Sequence, residues 1–387
     1  MELRVYRPTV FGEGRRTPGP HGYVAYFPAP MPRSLELPPS TARLLGDAEA
    51  ELGQLAAAGR LLPNPDLLLR PYLLREALSS TRIEGTQASM AEVLESDAAG
   101  GPPSADVEEV VNYAAAMRWG LERLDDLPLS TRLLCEMHRR LMDGVRGREL
   151  APGELRTSQN WIGAPGSTIE TAQFVPPPPE ELGRLLSDWE RFAHEEPEMP
   201  LLVQNALLHS QFETIHPFLD GNGRLGRLLL VFFLVARGRL GAPLLYLSAY
   251  VERHRQAYYD GLQSIRQTGD PIPWIELFLT AVQTQAADAV RRAQRIVELR
   301  EQYRQAAAVI GTANAMALIE LICENPVVTT RSIEGRLGVS RPTALRLLRR
   351  MEEQDVLSEG EEGVRGQRRY VAPAMMDAIA GDAEATQ

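Results

Sequence analysis

Residues 216 to 227 bring several chemically active side-chain types into one short segment, HPFLDGNGRLGR. His216 offers an imidazole base, and Asp220 offers a hard oxygen ligand of the kind that Mg²⁺ prefers. Arg224 and Arg227 lie one helical turn apart, so they share a face and can bind adjacent phosphates with planar donors. We interpret this segment as a nucleotide-phosphate site.

The segment joins two predicted helices. Apolar residues recur at helical spacing from Val203 to Ile215, and a nearly continuous apolar run covers 228 to 235. Between them, Gly221 and Gly223 can take positive φ and expose backbone N–H groups, while the dipole of the following helix favours an anion. The chemistry is therefore expected at a helix N-terminus.

His216 is the best candidate for a general base. Pro217 follows it and favours an extended conformation at the end of the preceding helix. A neutral imidazole there can take a hydroxyl proton near pH 7. Taken singly, each residue also fits a structural role, such as a helix-ending His, an N-cap Asp or a surface Arg, so the interpretation depends on the whole set.

Composition excludes several other chemistries. The 387 residues are 44% hydrophobic and carry a net charge of -10, which predicts a globular chain of two or three domains and argues against wholesale binding to nucleic acid or anionic membranes. The chain has no lysine, so a lysine-containing P-loop and a Schiff-base lysine are both excluded. Two distant cysteines, the lack of a signal-like N-terminus and the lack of a membrane-spanning apolar run lead us to expect the cytoplasm.

The rest of the pattern predicts a mainly α protein. Helices are expected over 41–59, 66–83, 107–124, 130–142, 179–194, 248–265 and 274–304. The first 35 residues, rich in Pro and Gly, show no clear period. Residues 160 to 179 predict a β-hairpin, because Trp161-Ile162 and Phe174-Val175 flank a Gly-containing turn.

The segment matches the pattern H-x-F-x-[DE]-G-N-G-R-x-x-R in full, and the chain therefore resembles the Fic (filamentation induced by cAMP) domain family. The resemblance covers roughly residues 105 to 265. It implies a Fic-type helical bundle with a β-hairpin flap, and transfer of AMP from ATP to a Tyr, Thr or Ser hydroxyl of a target protein. That target is either another protein or the chain itself.

The same resemblance implies a role for each residue of the segment. His216 would deprotonate the target hydroxyl, and Asp220 would hold Mg²⁺ on the phosphates. Nucleotide-binding positions would be Gly221, Asn222, Gly223, Arg224 and Arg227, with Phe218 as a packed support for the loop. Relatives that transfer a phosphoryl group lack this Asp and the second Gly, so Asp220 and Gly223 argue against that reaction.

Two further features are interpreted through the resemblance. The hairpin would act as a flap that docks the target by strand addition, with Ile162, Gly163 and Thr171 as its docking positions; a plain surface hairpin is the alternative. Tyr258 and Tyr259 would wall the adenine pocket, although a tyrosine pair on a helix also fits the core.

Upstream, Ser80-Thr81-Arg82-Ile83-Glu84-Gly85 resembles the family's inhibitory helix, [ST]-x-x-x-E-[GN]. The resemblance implies that Ser80, Glu84 and Gly85 form a built-in brake, in which Glu84 pairs with Arg227 in place of the γ-phosphate. Glu84 would otherwise face solvent at a helix end, or orient water for removal of AMP as in some relatives.

The C-terminal region predicts a winged helix-turn-helix. Three helices over 317–322, 331–337 and 341–351 precede two strands, over 355–358 and 368–372. From 324 to 370 the sequence carries nine arginines, including Arg365 in the predicted wing, and eight acidic residues, so the segment is nearly neutral. DNA binding and protein contact or homodimerisation therefore both stay open.

We divide the chain into 1–104 (extension and inhibitory region), 105–304 (catalytic core), 305–375 (winged helix) and 376–387 (tail). The alternatives to an autoinhibited adenylyltransferase are a nucleotide-responsive DNA-binding regulator and a Fic protein that mainly removes AMP.

Overall fold

The computed structural model describes residues 5–18, 22–61, 66–99, 102–362 and 368–381, and within them the chain is mainly helical, as expected. The helices up to the motif are α1 (Pro39–Leu61), α2 (Asp66–Ile83), α3 (Met90–Ala99), α4 (Ala105–Arg123), α5 (Thr131–Leu141), α6 (Leu182–His194) and α7 (Leu201–Ile215). The later helices are α8 (Asn222–Ala236), α9 (Ser248–Arg253), α10 (Arg255–Thr268), α11 (Ile272–Ile310), α12 (Ala313–Glu324), α13 (Thr330–Leu337), α14 (Arg341–Glu352) and α15 (Pro373–Ala380). The strands are β1 (Gly12–Arg16), β2 (Val24–Pro28), β3 (Val327–Thr329), β4 (Ser358–Glu362) and β5 (Arg368–Val371).

Helices α7 and α8 form the centre of the core. Nearly all of their residues are buried; α8 is mostly apolar after its first two turns, whereas α7 also buries polar side chains such as Asn205, His209 and Glu213. Two tryptophans tie neighbouring helices to α7, because Trp189 on α6 donates its indole N–H to the carbonyl of Leu208 and Trp274 on α11 donates to that of Ala206. The helix pair that flanks the motif is therefore held rigidly.

Polar caps define where several surrounding helices begin. The side chains of Ser104, Ser130 and Thr312 accept hydrogen bonds from the backbone N–H groups at the starts of α4, α5 and α12. Such caps are readable in the sequence, and the predicted boundaries of α4 and α5 agree with the structure to within two residues.

The N-terminal extension contains an antiparallel hairpin that the sequence analysis does not predict. Strands β1 and β2 pair in register from Gly12 opposite Pro28 to Arg16 opposite Val24. Tyr6 and Tyr26 pack against Phe174, and the backbone N–H of Tyr26 donates to the carbonyl of Val175. The extension therefore supports the segment predicted as the flap.

The flap itself is less regular than predicted. Ile162 and Phe174 exchange backbone hydrogen bonds at 2.8 and 3.1 Å, but this bridge is isolated rather than part of a ladder. Four prolines follow from Pro176 to Pro179, and they offer no N–H groups with which to extend the pairing. The expected hairpin is thus a loop closed by one bridged pair.

The C-terminal module runs α12, β3, α13, α14, β4 and β5, and its three strands form an antiparallel sheet in the order β3-β5-β4. The three helices and β5 lie close to the predicted positions, while β4 begins at Ser358, where the strand predicted over 355–358 was expected to end, and β3 is an addition. Its classification as a winged helix stays a prediction, and Arg365 lies outside the described residues. Arg369 donates to Glu95 at 2.6 Å and Asn325 donates to the carbonyl of Leu94, so the module packs on α3.

Three helical features differ from the sequence analysis. Helix α3 is not predicted, because its ten residues carry three acids and too short an apolar pattern. The single helix expected over 248–265 is divided at His254 into α9 and α10. Helix α15 extends to Ala380, into the region assigned to a tail, and its Met375 and Ile379 are buried.

In the part of the chain that the structure describes, no helix combines the length and hydropathy that crossing a membrane would require.

Gly120 provides a test of the α4–α8 packing. A Cβ added there would lie 2.6 Å from Phe232 and 2.9 Å from the sulfur of Met137. We expect Gly120→Ala to lower the free energy of unfolding by about 1–3 kcal/mol through overpacking. Gly53 is an exposed position of α1, and an added Cβ there would meet nothing within 4 Å. Gly53→Ala should therefore raise the free energy of unfolding by roughly 0.5–1 kcal/mol. Urea unfolding of both variants checks this, and equal effects would contradict the packing described.

Candidate functional site

His216 caps the C-terminus of α7 in the left-handed conformation, with φ of 50° and ψ of 61°. This corrects the expectation of an extended residue before Pro217. The backbone N–H of His216 donates to the carbonyl of Phe212 at 2.9 Å, and Arg156 donates from Nε to the carbonyl of His216, also at 2.9 Å. The helix end and the buried Arg156 together stabilise a conformation that local preference does not favour.

The imidazole of His216 lies largely inside the protein, with its side chain 16% exposed. Its Nδ1 atom is buried without a hydrogen-bond partner among the described residues. Burial, together with the charges of Arg156 and Arg266, lowers the pKa of His216 to about 3. The ring is therefore neutral near pH 7 and can accept a proton.

The loop after His216 is fixed by a histidine that the sequence analysis does not select. The ring of His138 stacks on Phe218 with centroids 3.9 Å apart. The backbone N–H of Gly153 donates to Nδ1 of His138, so Nε2 carries the proton and donates to the carbonyl of Asp220 at 2.8 Å. Phe218 is fully buried, which matches the support role expected for it and removes it from the nucleotide-contacting positions.

Asn222 has a different role from the one expected. Its side-chain oxygen accepts from the backbone N–H of Phe218 at 2.9 Å, and its nitrogen donates to the carbonyl of Phe218 at 2.8 Å. The side chain is only 2% exposed. Asn222 therefore shapes the loop, and its amide group is not available to a phosphate.

Both motif glycines sit where a side chain would not fit. Gly221 has φ of 76°, and an added Cβ would lie 2.8 Å from the sulfur of Met142. At Gly223, in the first turn of α8, an added Cβ would lie 2.6 Å from Oε1 of Glu84. Glu84 thus lies directly over the N-terminus of α8, where an anion would bind.

Asp220 and Arg224 leave polar atoms available at the same end of α8. The side chain of Asp220 is 41% exposed, and its Oδ2 lies 3.8 Å from Nη2 of Arg224. Arg224 is 2% exposed, and its Nε and Nη1 atoms have no hydrogen-bond partner among the described residues. Nη1 also lies 3.8 Å from Oε2 of the buried Glu109, so Arg224 is near two carboxylates without a hydrogen bond to either. Buried donors without hydrogen bonds fit an anionic ligand, because such donors are costly to leave unsatisfied.

The upstream segment engages the Nε and Nη2 atoms of Arg227. Its Nε donates to Oγ of Ser80 at 2.8 Å, and its Nη2 donates to the carbonyl of Ser80 at 2.9 Å and to Oε1 of Glu84 at 2.8 Å. Burial opposes ionisation of Glu84, but the charge and hydrogen bonds of Arg227 outweigh it and lower the pKa of Glu84. The two groups form an ion pair at neutral pH, in which Arg227 is 2% exposed. Gly85 follows with φ of 101°, which turns the chain away from the end of α2.

Helix α2, which carries Ser80, is itself anchored by a buried acid. Glu76 accepts from the hydroxyl of Tyr113 on α4 and from both the N–H and the hydroxyl of Ser248 on α9. Burial raises the pKa of Glu76. Glu76, Tyr113 and Arg156 lie in segments that resemble the family, but the sequence alone gives none of them a role, because a buried polar group in a helix or loop has no pattern of its own.

The predicted adenine-pocket tyrosines separate into two environments. Tyr258 is 2% exposed, and its hydroxyl hydrogen-bonds Nε2 of His209 at 2.8 Å, which fits the core position that the sequence left open for it. Tyr259 is 40% exposed, and the guanidinium of Arg255 lies 5.8 Å from its ring centroid. Contact of Tyr259 with a nucleotide stays a prediction.

The flap is tied to the motif loop at its base. Asn160 donates from Nδ2 to the carbonyl of Phe218 at 2.9 Å, two residues before Ile162. At the far end, the hydroxyl of Thr171 accepts from the backbone N–H of Thr168, and a Cβ added at Gly163 would lie 2.4 Å from the hydroxyl of Ser167. Target docking by Ile162, Gly163 and Thr171 stays a prediction.

Together these contacts define a phosphate-type site at a helix N-terminus that a carboxylate from another helix covers. Two family models match the chain: Fic/DOC family N-terminal over residues 42–122 and Fic/DOC family over residues 128–234. The chain belongs to the Fic/DOC family, which confirms the resemblance.

Curated relatives carry an activity in their names. The chain is 32% identical over 208 residues to "Protein adenylyltransferase Fic" of Culex quinquefasciatus and 31% identical over 205 residues to the protein of the same name in Aedes aegypti. Each match covers 51% of this chain and 37% of the relative, so the likeness spans well under half of those proteins.

Solved structures support the fold. A Fic family protein from Desulfovibrio desulfuricans G20 aligns with a TM-score of 0.58 and 22% identity, over 88% of this chain and 98% of that one. A Fic domain containing signaling protein from Bacteroides thetaiotaomicron aligns with a TM-score of 0.51 and 20% identity, over 65% of this chain and 97% of that one.

His209 makes the free energy of unfolding depend on pH. It is 2% exposed, its Nδ1 hydrogen-bonds the carbonyl of Gly226, and burial lowers its pKa from 6.5 to about 3. The unfolded chain therefore takes up this proton near pH 6.5 while the folded chain does not, so stability falls as pH drops from 6.5 toward 3. Between pH 6.5 and 5 this residue should account for about 2 kcal/mol.

We expect the His209→Gln variant to lose less stability than the parent chain over the same pH interval. Urea unfolding of both proteins at pH 6.5 and 5 measures the difference, since the other titrating groups are common to both. Identical pH slopes would contradict the neutral, buried state assigned to His209.

Proposed function

We propose that the chain is an autoinhibited protein adenylyltransferase that transfers AMP from ATP to a Tyr, Thr or Ser hydroxyl of a target protein. The observation that carries this proposal is the occupation of Arg227 by Ser80 and Glu84 at the N-terminus of α8. The names of the curated relatives and the complete motif support the same activity.

His216 is proposed to act as the base. With Nδ1 buried, Nε2 is the nitrogen that can receive the proton of the target hydroxyl. The hydroxyl oxygen then bonds to the α-phosphorus of ATP, and the bond from that phosphorus to the bridging oxygen breaks to release pyrophosphate. The loop anchored by His138 and Arg156 holds the imidazole in place during this step.

The phosphates are proposed to bind at the start of α8. Arg224 has unpaired donors there, and the first-turn N–H groups and the helix dipole favour negative charge. Asp220, exposed beside Arg224, is the residue that would hold Mg²⁺. When bound, this ion neutralises phosphate charge, and a single protein carboxylate with phosphate oxygens is an ordinary ligand set for it.

Glu84 is proposed as the brake because it competes with the substrate for Arg227. A guanidinium buried to this degree needs an anionic partner, and Glu84 and a terminal phosphate offer the same kind of oxygen. While Glu84 holds Arg227, ATP binds without that contact and its α-phosphorus is not presented to the hydroxyl.

Removing Glu84 should therefore activate the chain. We expect Glu84→Gly to raise incorporation of label from α-labelled ATP into protein by about 10- to 100-fold, the equivalent of one charge-assisted hydrogen bond. Glu84→Gln, which keeps the shape but not the charge, should give an intermediate rate. Adding His216→Ala to the Glu84→Gly variant should abolish incorporation, and equal labelling by the parent chain and Glu84→Gly would contradict the brake.

DNA binding through the C-terminal module is a second candidate function. The outer face of α14 exposes Arg341, Arg346, Arg349 and Arg350, and Arg350 alone has a described ion pair, with Glu353 at 3.4 Å. A row of exposed arginines on one helix fits the phosphate backbone of a duplex.

This candidate predicts salt-sensitive binding. We expect the chain to bind a mixed-sequence duplex with a Kd of roughly 10⁻⁴–10⁻⁶ M. The double variant Arg346→Ala/Arg349→Ala should bind more weakly and with a salt slope reduced by about 2. Arg118→Ala/Arg132→Ala, which removes exposed arginines from α4 and α5, serves as the matched control in fluorescence anisotropy. Equal loss in both double variants would reject α14 as the DNA-contacting helix.

A further inference from the structure

Glu213 lies on α7, three residues before His216, and is 6% exposed. Its Oε2 atom lies 3.9 Å from Nδ1 of His216. Oε1 of Glu213 and Nδ1 of His216 are both buried without a hydrogen-bond partner among the described residues. We propose that Glu213 is a positioning residue, whose carboxylate keeps the proton of His216 on Nδ1 and stabilises the imidazolium formed when Nε2 accepts the target's proton.

The packing around Glu213 is built to admit a carboxylate at this position. A Cβ added at Gly226 would lie 2.3 Å from Oε1 of Glu213, so glycine in α8 leaves the space that the acid fills between the two central helices. The ring of Phe212 closes the same space, at 3.1 Å from that Cβ position. A shorter side chain would leave part of this space empty. An apolar side chain would lack the negative charge.

Charged groups from four other elements face this pair. Arg227 on α8 and Arg266 on α10 favour the ionised carboxylate, while Glu84 opposes it. Arg156, from the loop after α5, and Arg266 disfavour a charged His216. Burial is the largest influence on Glu213 and raises its pKa to about 7, so the carboxylate is ionised above neutrality.

The proposed role follows from the charge that develops during transfer. This inference rests on the proposed adenylyl transfer, in which Nε2 takes a proton and the imidazole becomes positive. The backbone carbonyl of Glu213 also faces the ring and favours its charged form, so the main chain and the side chain of this residue act in the same direction. The hydroxyl proton ends on Nε2, and Glu213 accepts no proton in the step.

A substitution series separates the charge of Glu213 from its shape. In the Glu84→Gly background, we expect Glu213→Gln to lower kcat by about 10- to 100-fold with the KM for ATP changed less than about twofold. Glu213→Asp, which keeps the charge but loses one methylene, should retain more activity than Glu213→Gln. A purely structural role predicts the opposite order, since Gln preserves the volume and Asp does not.

The pH dependence gives a second readout. The ratio of kcat for the Glu84→Gly chain to that for the Glu84→Gly/Glu213→Gln variant should decrease as pH falls through the pKa of Glu213, because the carboxylate then becomes neutral. Since Glu84 raises that pKa in the parent chain, its removal places the change below about pH 7. Burial lowers the pKa of His216 to about 3, so the ring stays neutral in both proteins over this pH range. A pH-independent ratio, or Gln equal to Glu in kcat, would overturn this inference, whereas absence of AMP transfer by the Glu84→Gly chain would instead reject the proposed function.

Discussion

The contact between Arg227 and the end of α2 is the interaction on which the site's organisation depends. A buried guanidinium cannot be left without an anionic partner, because breaking such a pair by removing one side costs about 3–5 kcal/mol. Ser80 accepts hydrogen bonds from Nε and Nη2 of Arg227, and Glu84 accepts a further one from Nη2. The same carboxylate lies over Gly223, so a single pair both neutralises the arginine and covers the start of α8.

The surrounding structure makes this pairing an alternative to substrate rather than a fixed part of the core. Helix α2 is anchored through Glu76 to α4 and α9, which holds Ser80 beside Arg227. Glu84 lies at the end of that helix with its side chain 34% exposed, before a glycine with positive φ. Arg224, one turn earlier on α8, keeps unpaired donors. In the proposed scheme, a triphosphate engages Arg224 first and competes with Glu84 only for the second arginine.

Sequence reasoning captured what depends on local pattern. Helices α1, α2, α4 and α5 follow from apolar spacing, with Ser caps at α4 and α5, and the motif does join the end of α7 to the N-terminus of α8. What it missed depends on contacts between distant segments. The β1–β2 hairpin is stabilised by packing on Phe174, and the left-handed His216 by Arg156, sixty residues upstream. The buried hydrogen bonds of Asn222 to Phe218 and of Tyr258 to His209 likewise join partners that a single sequence does not connect.

The central claim is that Glu84 occupies the place of the terminal phosphate on Arg227, and it is tested most directly by comparing ATP with ADP. Isothermal titration with Mg²⁺ should show that the parent chain binds the two nucleotides with similar affinity, since Arg227 is already paired. In the Glu84→Gly variant ATP should bind about tenfold more tightly than ADP, as one additional charge-assisted contact implies. A parent chain that already prefers ATP to the same degree as the variant would contradict the account.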